Sequence, residues 1–303
     1  MDETNNKKKI LVIINPKAGK LKTKRQLFDI AEVLSSAGNE TTVYTTTCRG
    51  DATRMARDLS EPYDIVVCRG GDGTLNEVVS GMMAVEEGKR KPIGYIPSGT
   101  TNDLARSLGI SHDSKKSALQ VLNGSLYPHD VGSFNENKFF TYVACFGAFI
   151  TTTYKTSQVS KNFLGHAAYM AKAVDTLKEI HHIKVKITID DDEVIEDDII
   201  YGSVSNTLSL AKIITIDKNL VNFNDGLFEV VLAKFPKNAN ELTKTIRCLL
   251  EKDYNEKYIY FRQASKIKIE FDKGVAWSLD GEYGGDPKEV VIENKHQAIN
   301  IIR

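Results

Sequence analysis

The chain is short of cysteine, of net charge and of long apolar runs, and each shortage removes a class of protein. Its four cysteines, Cys48, Cys68, Cys145 and Cys248, are scattered through 303 residues with no CxxC pair. That spacing points away from a disulfide framework and towards reduced, structural thiols in a cytosolic protein. Lysine plus arginine and aspartate plus glutamate each number 40, and no long single-sign block interrupts the chain. Nothing in that balance argues for a nucleic-acid partner. No apolar stretch approaches the roughly 18 residues of a membrane span. Met1–Lys9 is polar and lysine-rich, with no signal-peptide cleavage pattern after it. The expectation is a soluble, cytoplasmic protein that meets a membrane at its surface if at all. The six histidines show no ligand spacing, and His181-His182 reads as a helix end. Neither GxxxxGK[ST] nor GxGxxG occurs, which argues against a P-loop enzyme and a nicotinamide dehydrogenase.

What is present is an alternation of strand and helix in the first part. Ile10–Ile14 is a buried-type strand ended by Asn15-Pro16, and Leu27, Ile30, Ala31 and Leu34 mark a helix that stops near Gly38. Thr41–Thr46 is β-branched and strand-like. Asp51 reads as the N-cap of a helix carrying Ala52, Met55, Ala56 and Leu59 on one face. The apolar run Asp64–Cys68 is followed by glycines and then by Leu75, Val78, Val79, Met82 and Met83 at helical spacing. A short strand, Ile93–Ile96, leads to a second loop, Pro97–Asp103. Repeated βα units with continuous apolar strands predict an α/β, doubly wound sheet. Ligands of such sheets bind at the carboxyl ends of the strands, so the loops at Asn15, Thr46, Gly70 and Ser98 are expected on one edge.

The character changes near His129-Asp130. Phe139–Phe146, Lys184–Ile189, Ile199–Val204, Leu227–Ala233, Ile267–Phe271 and Val290–Glu293 read as strands, several with the alternation of an antiparallel sheet solvated on one face. Helices are expected over Gly165–Ile180 and near Asn240–Leu250. The boundaries are therefore 1–128 for a nucleotide-binding α/β domain and 129–303 for a β-rich, antiparallel, sandwich-like domain. A cleft between the two is expected.

The string Gly70-Gly71-Asp72-Gly73-Thr74-Leu75-Asn76-Glu77 is the most specific feature. It lies on a strand-to-helix turn, where main-chain N–H groups and the helix dipole favour an anion. Glycine admits a phosphate without Cβ interference. A bare carboxylate, Asp72, beside a polyphosphate is repulsive unless a cation lies between them, so the loop suggests a nucleotide phosphate with Mg²⁺. The plain alternative is Asp72 as a helix cap. Asn15-Pro16-Lys17-Ala18-Gly19-Lys20 offers backbone and lysines to phosphate, but taken alone it is an ordinary turn. Ser98–Asp103 offers hydroxyls and a second helix start, with Asn102 or Asp103 as cap. Asp280-Gly281-Glu282 places two carboxylates one residue apart, suited to Mg²⁺ or to proton abstraction, and Asp-Gly is equally a hairpin signal. Asn224-Asp225-Gly226 suits a hard cation or a simple turn, and Asp190-Asp191-Asp192 reads as a solvated hairpin tip.

Together these strings resemble the diacylglycerol kinase catalytic family, whose wider superfamily includes sphingosine and ceramide kinases. The resemblance runs from Asn15-Pro16 to Asp280-Gly281-Glu282, and Gly70–Glu77 with Pro97–Arg106 are its most specific marks. It implies an ATP- and Mg²⁺-dependent lipid kinase that phosphorylates the hydroxyl of diacylglycerol. Asn15, Pro16, Lys17, Ala18, Gly19, Thr46, Gly70 to Asn76 and Thr100 would line the ATP site. Asn222, Asp225 and Leu227 match a Mg²⁺ site in which Asp225 gives its side chain. Glu282 matches the proton acceptor, with Asp280 beside it and Asp72 in a Mg²⁺-linked carboxylate network. The base is Asp72 or Glu282, because sphingosine kinases are discussed with the aspartate of the glycine loop in that role. Ala144-Cys145-Phe146-Gly147-Ala148 departs from the Asn and glycine-rich turn of relatives, at a place that shapes the acyl pocket. The lipid implies peripheral membrane contact, with Lys155–Tyr169 the candidate segment, and a homodimer is an open assembly. An NAD kinase, which shares the GGDG turn, and a nucleotide-binding regulator without catalysis are the competing readings. The Ser98–Asp103 string opposes the first. Intact Asp72, Asp225, Asp280 and Glu282 oppose the second.

Overall fold

The computed structural model describes residues 7–19, 23–148, 182–210 and 214–303. The expected helix over Gly165–Ile180 and the segment Lys155–Tyr169 lie outside the described residues. The chain divides into two compact units, Met1–Val131 with His296–Arg303, and Gly132–Lys295. A single boundary near residue 128 therefore omits a return, since the C-terminal stretch rejoins the first unit.

In the first unit the elements run β1 (Lys9–Ile14), α1 (Thr23–Leu34), β2 (Glu40–Thr45), α2 (Asp51–Leu59), β3 (Ile65–Gly70), α3 (Asp72–Met83), β4 (Ile93–Pro97), α4 (Asp103–Ser107) and α5 (Ser114–Asn123), before β5 (Leu126–Phe134) leads out. The strands lie in the order β4-β3-β1-β2. All are parallel: Val12 faces Val43 on β2 and Val67 on β3, and Val67 faces Gly94 on β4. Parallel strands covered by helices read as unbroken apolar runs, and β3 is buried along its whole length. On one face Ile30, Val33 and Leu34 of α1 and Ala118 and Val121 of α5 pack on Ile10, Val12, Ile14, Ile65, Val67 and Ile96. Each fully buried side chain of this size contributes about 1.5–3 kcal/mol. The chain leaves β1 for β2 on one side and finds β3 on the other, so the crevice where strand order reverses opens between Asn15 and Gly70. One local expectation changes: Gly50, with φ 84°, takes the cap of α2, and Asp51 is its first residue.

The second unit is antiparallel. Its strands are β6 (Lys138–Phe140), β7 (Val143–Gly147), β8 (Ile183–Ile189), β9 (Glu193–Ser205), the short pair β10 (Ser209–Leu210) and β11 (Ile214–Thr215), β12 (Phe228–Lys234), β13 (Ile259–Ala264), β14 (Lys266–Phe271), β15 (Trp277–Leu279), β16 (Glu282–Gly285) and the first part of β17 (Glu289–Ile302). A helix, α6 (Ala239–Glu251), stands between β12 and β13. Trp277 is fully buried among Phe134, Phe146 and Phe271, with centroid separations of 5.1, 4.8 and 6.2 Å. The hairpin tip expected at Asp190–Asp192 joins β8 to β9, where Ile189 pairs with Glu193. The strand expected over Phe139–Phe146 is instead two, β6 and β7, broken at Thr141-Tyr142. Strand β17 runs far beyond Val290–Glu293, and its last residues, Ile301 and Ile302, pair parallel with Ile93 and Gly94 of β4 in the first unit.

Candidate active site

The ends of β1, β3 and β4 converge through main-chain contacts. Asn15 N–H donates to the Arg69 carbonyl at 3.0 Å, and Ser98 N–H donates to the Gly70 carbonyl at 2.8 Å. A Cβ on Gly71 would lie 3.1 Å from Gly99 Cα, and one on Gly99 would lie 2.6 Å from Gly71 Cα. The two loops touch backbone to backbone, which only glycine permits. Gly19, at φ 89°, approaches the Ser98 carbonyl in the same way, with 2.8 Å left for a Cβ. Gly70 closes on the Thr74 side chain, where a Cβ would sit 2.4 Å from Thr74 Cβ. Thr74 in turn accepts a hydrogen bond from Asn15 Nδ2 at 3.1 Å. The glycine loop is thus a single tight step: Gly70 ends β3, Gly71 is the cap, and Asp72 starts α3.

The first-unit candidates fall into groups. Asn15–Gly19 is a turn closed by Ala18 N–H on the Asn15 carbonyl and by Lys17 N–H on Asn15 Oδ1; Pro16 and Lys17 are exposed. Asp72, Gly73 and Asn76 are half-buried on the first turns of α3. Leu75 is core, and its N–H is taken by the Gly71 carbonyl, so its contribution is packing. Thr100 is exposed on the second loop. Asn102 adopts φ 49° and spends its side chain on Gly99, accepting from its N–H at 3.0 Å and donating to its carbonyl at 2.9 Å. It shapes the loop, without the side-chain helix cap expected of it. Buried Tyr95 donates to Asn102 Oδ1 at 3.2 Å. Its hydroxyl is raised well above its ordinary pKa by burial first and then by the negative charge of Asp72. Thr46 extends the β1–β2 ladder, donating to the Ile14 carbonyl at 2.8 Å.

In the second unit Asp280 and Gly281 are the two turn residues between β15 and β16, both at positive φ, and Leu279 pairs with Glu282 across them. The hairpin and the chemical readings of this string therefore coexist, but the two carboxylates part company. Asp280 is 3% exposed. Its Oδ2 accepts from Thr141 N–H at 2.7 Å and Thr141 Oγ1 at 2.8 Å, and its Oδ1 accepts from Tyr142 and Val143 N–H, each at 3.0 Å. Its own N–H donates to the Val143 carbonyl. Asp280 thus splices the break between β6 and β7 and holds the turn in place. Its charge is felt by Cys145, whose thiol is pushed up to about 12, first by burial and then by this carboxylate. Glu282 is exposed at the start of β16.

Asp225 and Asn222 are exposed on the turn before β12, and Leu227 is half-buried. Leu227 N–H donates to Asp225 Oδ1 at 3.0 Å, and buried Asn206 braces the turn by donating to the Phe223 carbonyl at 3.2 Å. One carboxylate with neighbouring carbonyls is the oxygen donor set a hard cation takes, and Mg²⁺ completes its shell with water and phosphate. Among the described residues no group of three or more His, Cys, Asp or Glu could hold a metal, so a cation at this turn would need such outside ligands.

Sequence reasoning missed Glu77, Asn206 and the partners of Asp280. Glu77 was visible inside the glycine string. The other contacts join residues far apart in the chain and leave no local signature.

A strand-end glycine cradle at the reversal of an α/β sheet is a place suited to an anionic ligand such as a phosphate. Comparison with known proteins narrows that reading. The Diacylglycerol kinase catalytic domain family matches residues 9–134. The chain is 33% identical to the diacylglycerol kinase of Bacillus subtilis over 300 residues, covering 97% of this chain and 96% of that protein. It is also 33% identical to the diacylglycerol kinase of Staphylococcus carnosus over 282 residues, 92% of this chain and 90% of the other. A crystal structure of a Bacillus anthracis diacylglycerol kinase superposes with a TM-score of 0.76 at 26% identity, covering 97% and 96% of the two chains. The chain belongs to the diacylglycerol kinase family, enzymes that transfer a phosphoryl group to an alcohol.

Proposed function

We propose that this protein transfers the γ-phosphoryl group of ATP to the hydroxyl of diacylglycerol, yielding phosphatidic acid and ADP. The observation that carries the reading is the glycine cradle at Gly70–Gly73, locked against Gly99, in a chain aligned end to end with relatives of that name. The amides of this step and the N-terminus of α3 suit the nucleotide phosphates. Asn15, Gly19, Thr46 and Thr100 complete its rim. Glu282 is the proton acceptor: it takes the proton of the lipid hydroxyl as that oxygen bonds to the γ-phosphorus and the bond to the β,γ-bridging oxygen breaks. An exposed carboxylate can meet an incoming alcohol, whereas that of Asp280 is spent on main-chain donors. Asp225, with the carbonyls of Asn222 and Leu227, would hold Mg²⁺, which when bound offsets the charge of the transferred group. Asp72 places a carboxylate at the cradle, beside the step that suits the nucleotide phosphates.

Among the described residues no helix is long and apolar enough to cross a membrane. The lipid is reached, on this proposal, by peripheral contact with the bilayer from the cytoplasm. The test is an acceptor screen with γ-labelled ATP and Mg²⁺, offering diacylglycerol in mixed micelles, sphingosine, ceramide and NAD. Label in phosphatidic acid is expected. Label in another acceptor alone, or in none, overturns the reading.

A further inference from the structure

Glu77 belongs to the glycine string yet turns away from the cradle. It sits on the second turn of α3, and its carboxylate reaches a different helix. Oε1 accepts from Gly50 N–H at 2.9 Å and Oε2 accepts from Ala52 N–H at 3.1 Å. Both amides belong to the start of α2, where helical N–H groups have no internal partner. From inside α2, Asp51 reaches back along the same segment, accepting from Thr47 N–H at 2.8 Å, Thr47 Oγ1 at 2.6 Å and Cys48 N–H at 3.2 Å. The loop after β2 is therefore gripped by two carboxylates, one its own and one from α3. Thr47 and Cys48 are exposed, and Val43, Tyr44 and Thr45 at the end of β2 are exposed as well. The loop has little packing of its own to hold it.

Strand order gives the grip a functional meaning. β2 and β3 flank β1, so the loops after them lie two strand spacings apart, about 10 Å. That is about the reach from the phosphates of a nucleotide to its base. With the phosphates on the glycine step, the ribose and base fall towards Thr46 and the loop behind it.

We infer that Glu77 is a positioning residue for the base end of the nucleotide: it ties the loop after β2 to the helix that carries the phosphate step, so that both ends of the pocket keep one spacing. The inference rests on the proposed use of ATP but not on the identity of the acceptor. Two charge-assisted hydrogen bonds to otherwise orphaned amides are involved, and Gln in place of Glu keeps one acceptor oxygen.

The test measures dissociation constants of ATP, AMP and tripolyphosphate for the full-length wild type, Glu77→Ala and Glu77→Gln, with KM for ATP and kcat alongside. In Glu77→Ala, ATP and AMP are expected to weaken about tenfold, with tripolyphosphate within twofold of wild type. KM for ATP rises by the same factor while kcat changes little, and Glu77→Gln recovers part of the loss. If tripolyphosphate weakens as much as ATP, or if all three ligands bind as to wild type, the inference is overturned. Should Glu77→Ala fail to fold by its melting transition, Glu77→Gln and Asp51→Asn carry the same comparison of AMP against tripolyphosphate. A wild type that binds no ATP would sink the proposed function instead, so the two failures are distinguishable.

Discussion

Replacing Asp280 with alanine removes one carboxylate and strands four donors at once. Thr141 N–H, Thr141 Oγ1, Tyr142 N–H and Val143 N–H all end on its two oxygens, and both Asp280 and Thr141 are buried. A buried donor left without an acceptor costs about 1–3 kcal/mol, and breaking a buried charged network typically costs about 3–5 kcal/mol. Relaxation of the exposed β16 side lets water reach some of these groups, so the lower end of the sum, about 4 kcal/mol, is the expectation. Asp280→Asn keeps one acceptor oxygen and turns an NH₂ group towards the remaining donors, so about half that loss is expected for it. Urea unfolding followed by far-ultraviolet circular dichroism measures both losses. The kinase activity of Asp280→Ala falls together with its stability, because the turn that presents Glu282 is no longer anchored. Glu282→Gln should lose turnover with its unfolding midpoint unchanged. A loss below about 1 kcal/mol for Asp280→Ala would refute the argument that these four hydrogen bonds hold the splice between β6 and β7.

Other perturbations read other parts of the account. Gly71→Ala places a methyl 3.1 Å from Gly99 Cα; nucleotide affinity should drop at least about tenfold while tryptophan fluorescence of the second unit, from Trp277, stays native. Arg69 is 1% exposed; among the described residues its Nε and Nη1 have no hydrogen-bond partner, and Nη2 donates to Gln26, and burial pulls its pKa down. Arg69→Met should therefore raise unfolding free energy by about 1–3 kcal/mol in a denaturant titration. Glu229 is 1% exposed, and burial, with a smaller push from Asp225, raises its carboxyl to about 8 from an ordinary 4.5. The folded state then holds a proton that the unfolded state releases, so stability falls as pH rises from 4.5 towards 8, by up to about 1.4 kcal/mol per unit, and levels off above. Glu229→Gln should flatten that slope; parallel stability profiles for the two proteins would contradict the burial argument.

The glycine step was legible in the sequence because its physics is local. A short apolar run, two glycines and a helical repeat within a few residues specify strand, turn and helix. The parallel order followed from runs such as Ile10–Ile14 and Ile65–Cys68, which are apolar without alternation. What was not legible depends on distant partners. Asp280 read as a carboxylate beside Glu282, yet its partners lie at Thr141–Val143, and that same contact cuts one expected strand into two. Asp51 read as a cap because aspartate favours that position, but Gly50 supplies the left-handed conformation and Asp51 folds back on Thr47. The end of β17 was hidden by Glu293-Asn294-Lys295-His296-Gln297, a polar stretch that no strand pattern would claim. The exposed Glu282 and Asp225 carry only an ambiguous mark outside the family resemblance, because Asp280-Gly281-Glu282 and Asn224-Asp225-Gly226 read equally well as plain turns.

The most direct measurement of the central claim is transfer of γ-labelled phosphate to diacylglycerol in mixed micelles, comparing wild type with Glu282→Gln, with ATP binding by both followed in parallel. The account predicts labelled phosphatidic acid from the wild type and a loss of at least about 10²-fold in the variant at equal ATP affinity, the span of a missing general base. Labelled phosphatidic acid at wild-type rate from Glu282→Gln would contradict the assignment of the proton acceptor. Its absence from a wild type that binds ATP would contradict the reading of this protein as a diacylglycerol kinase.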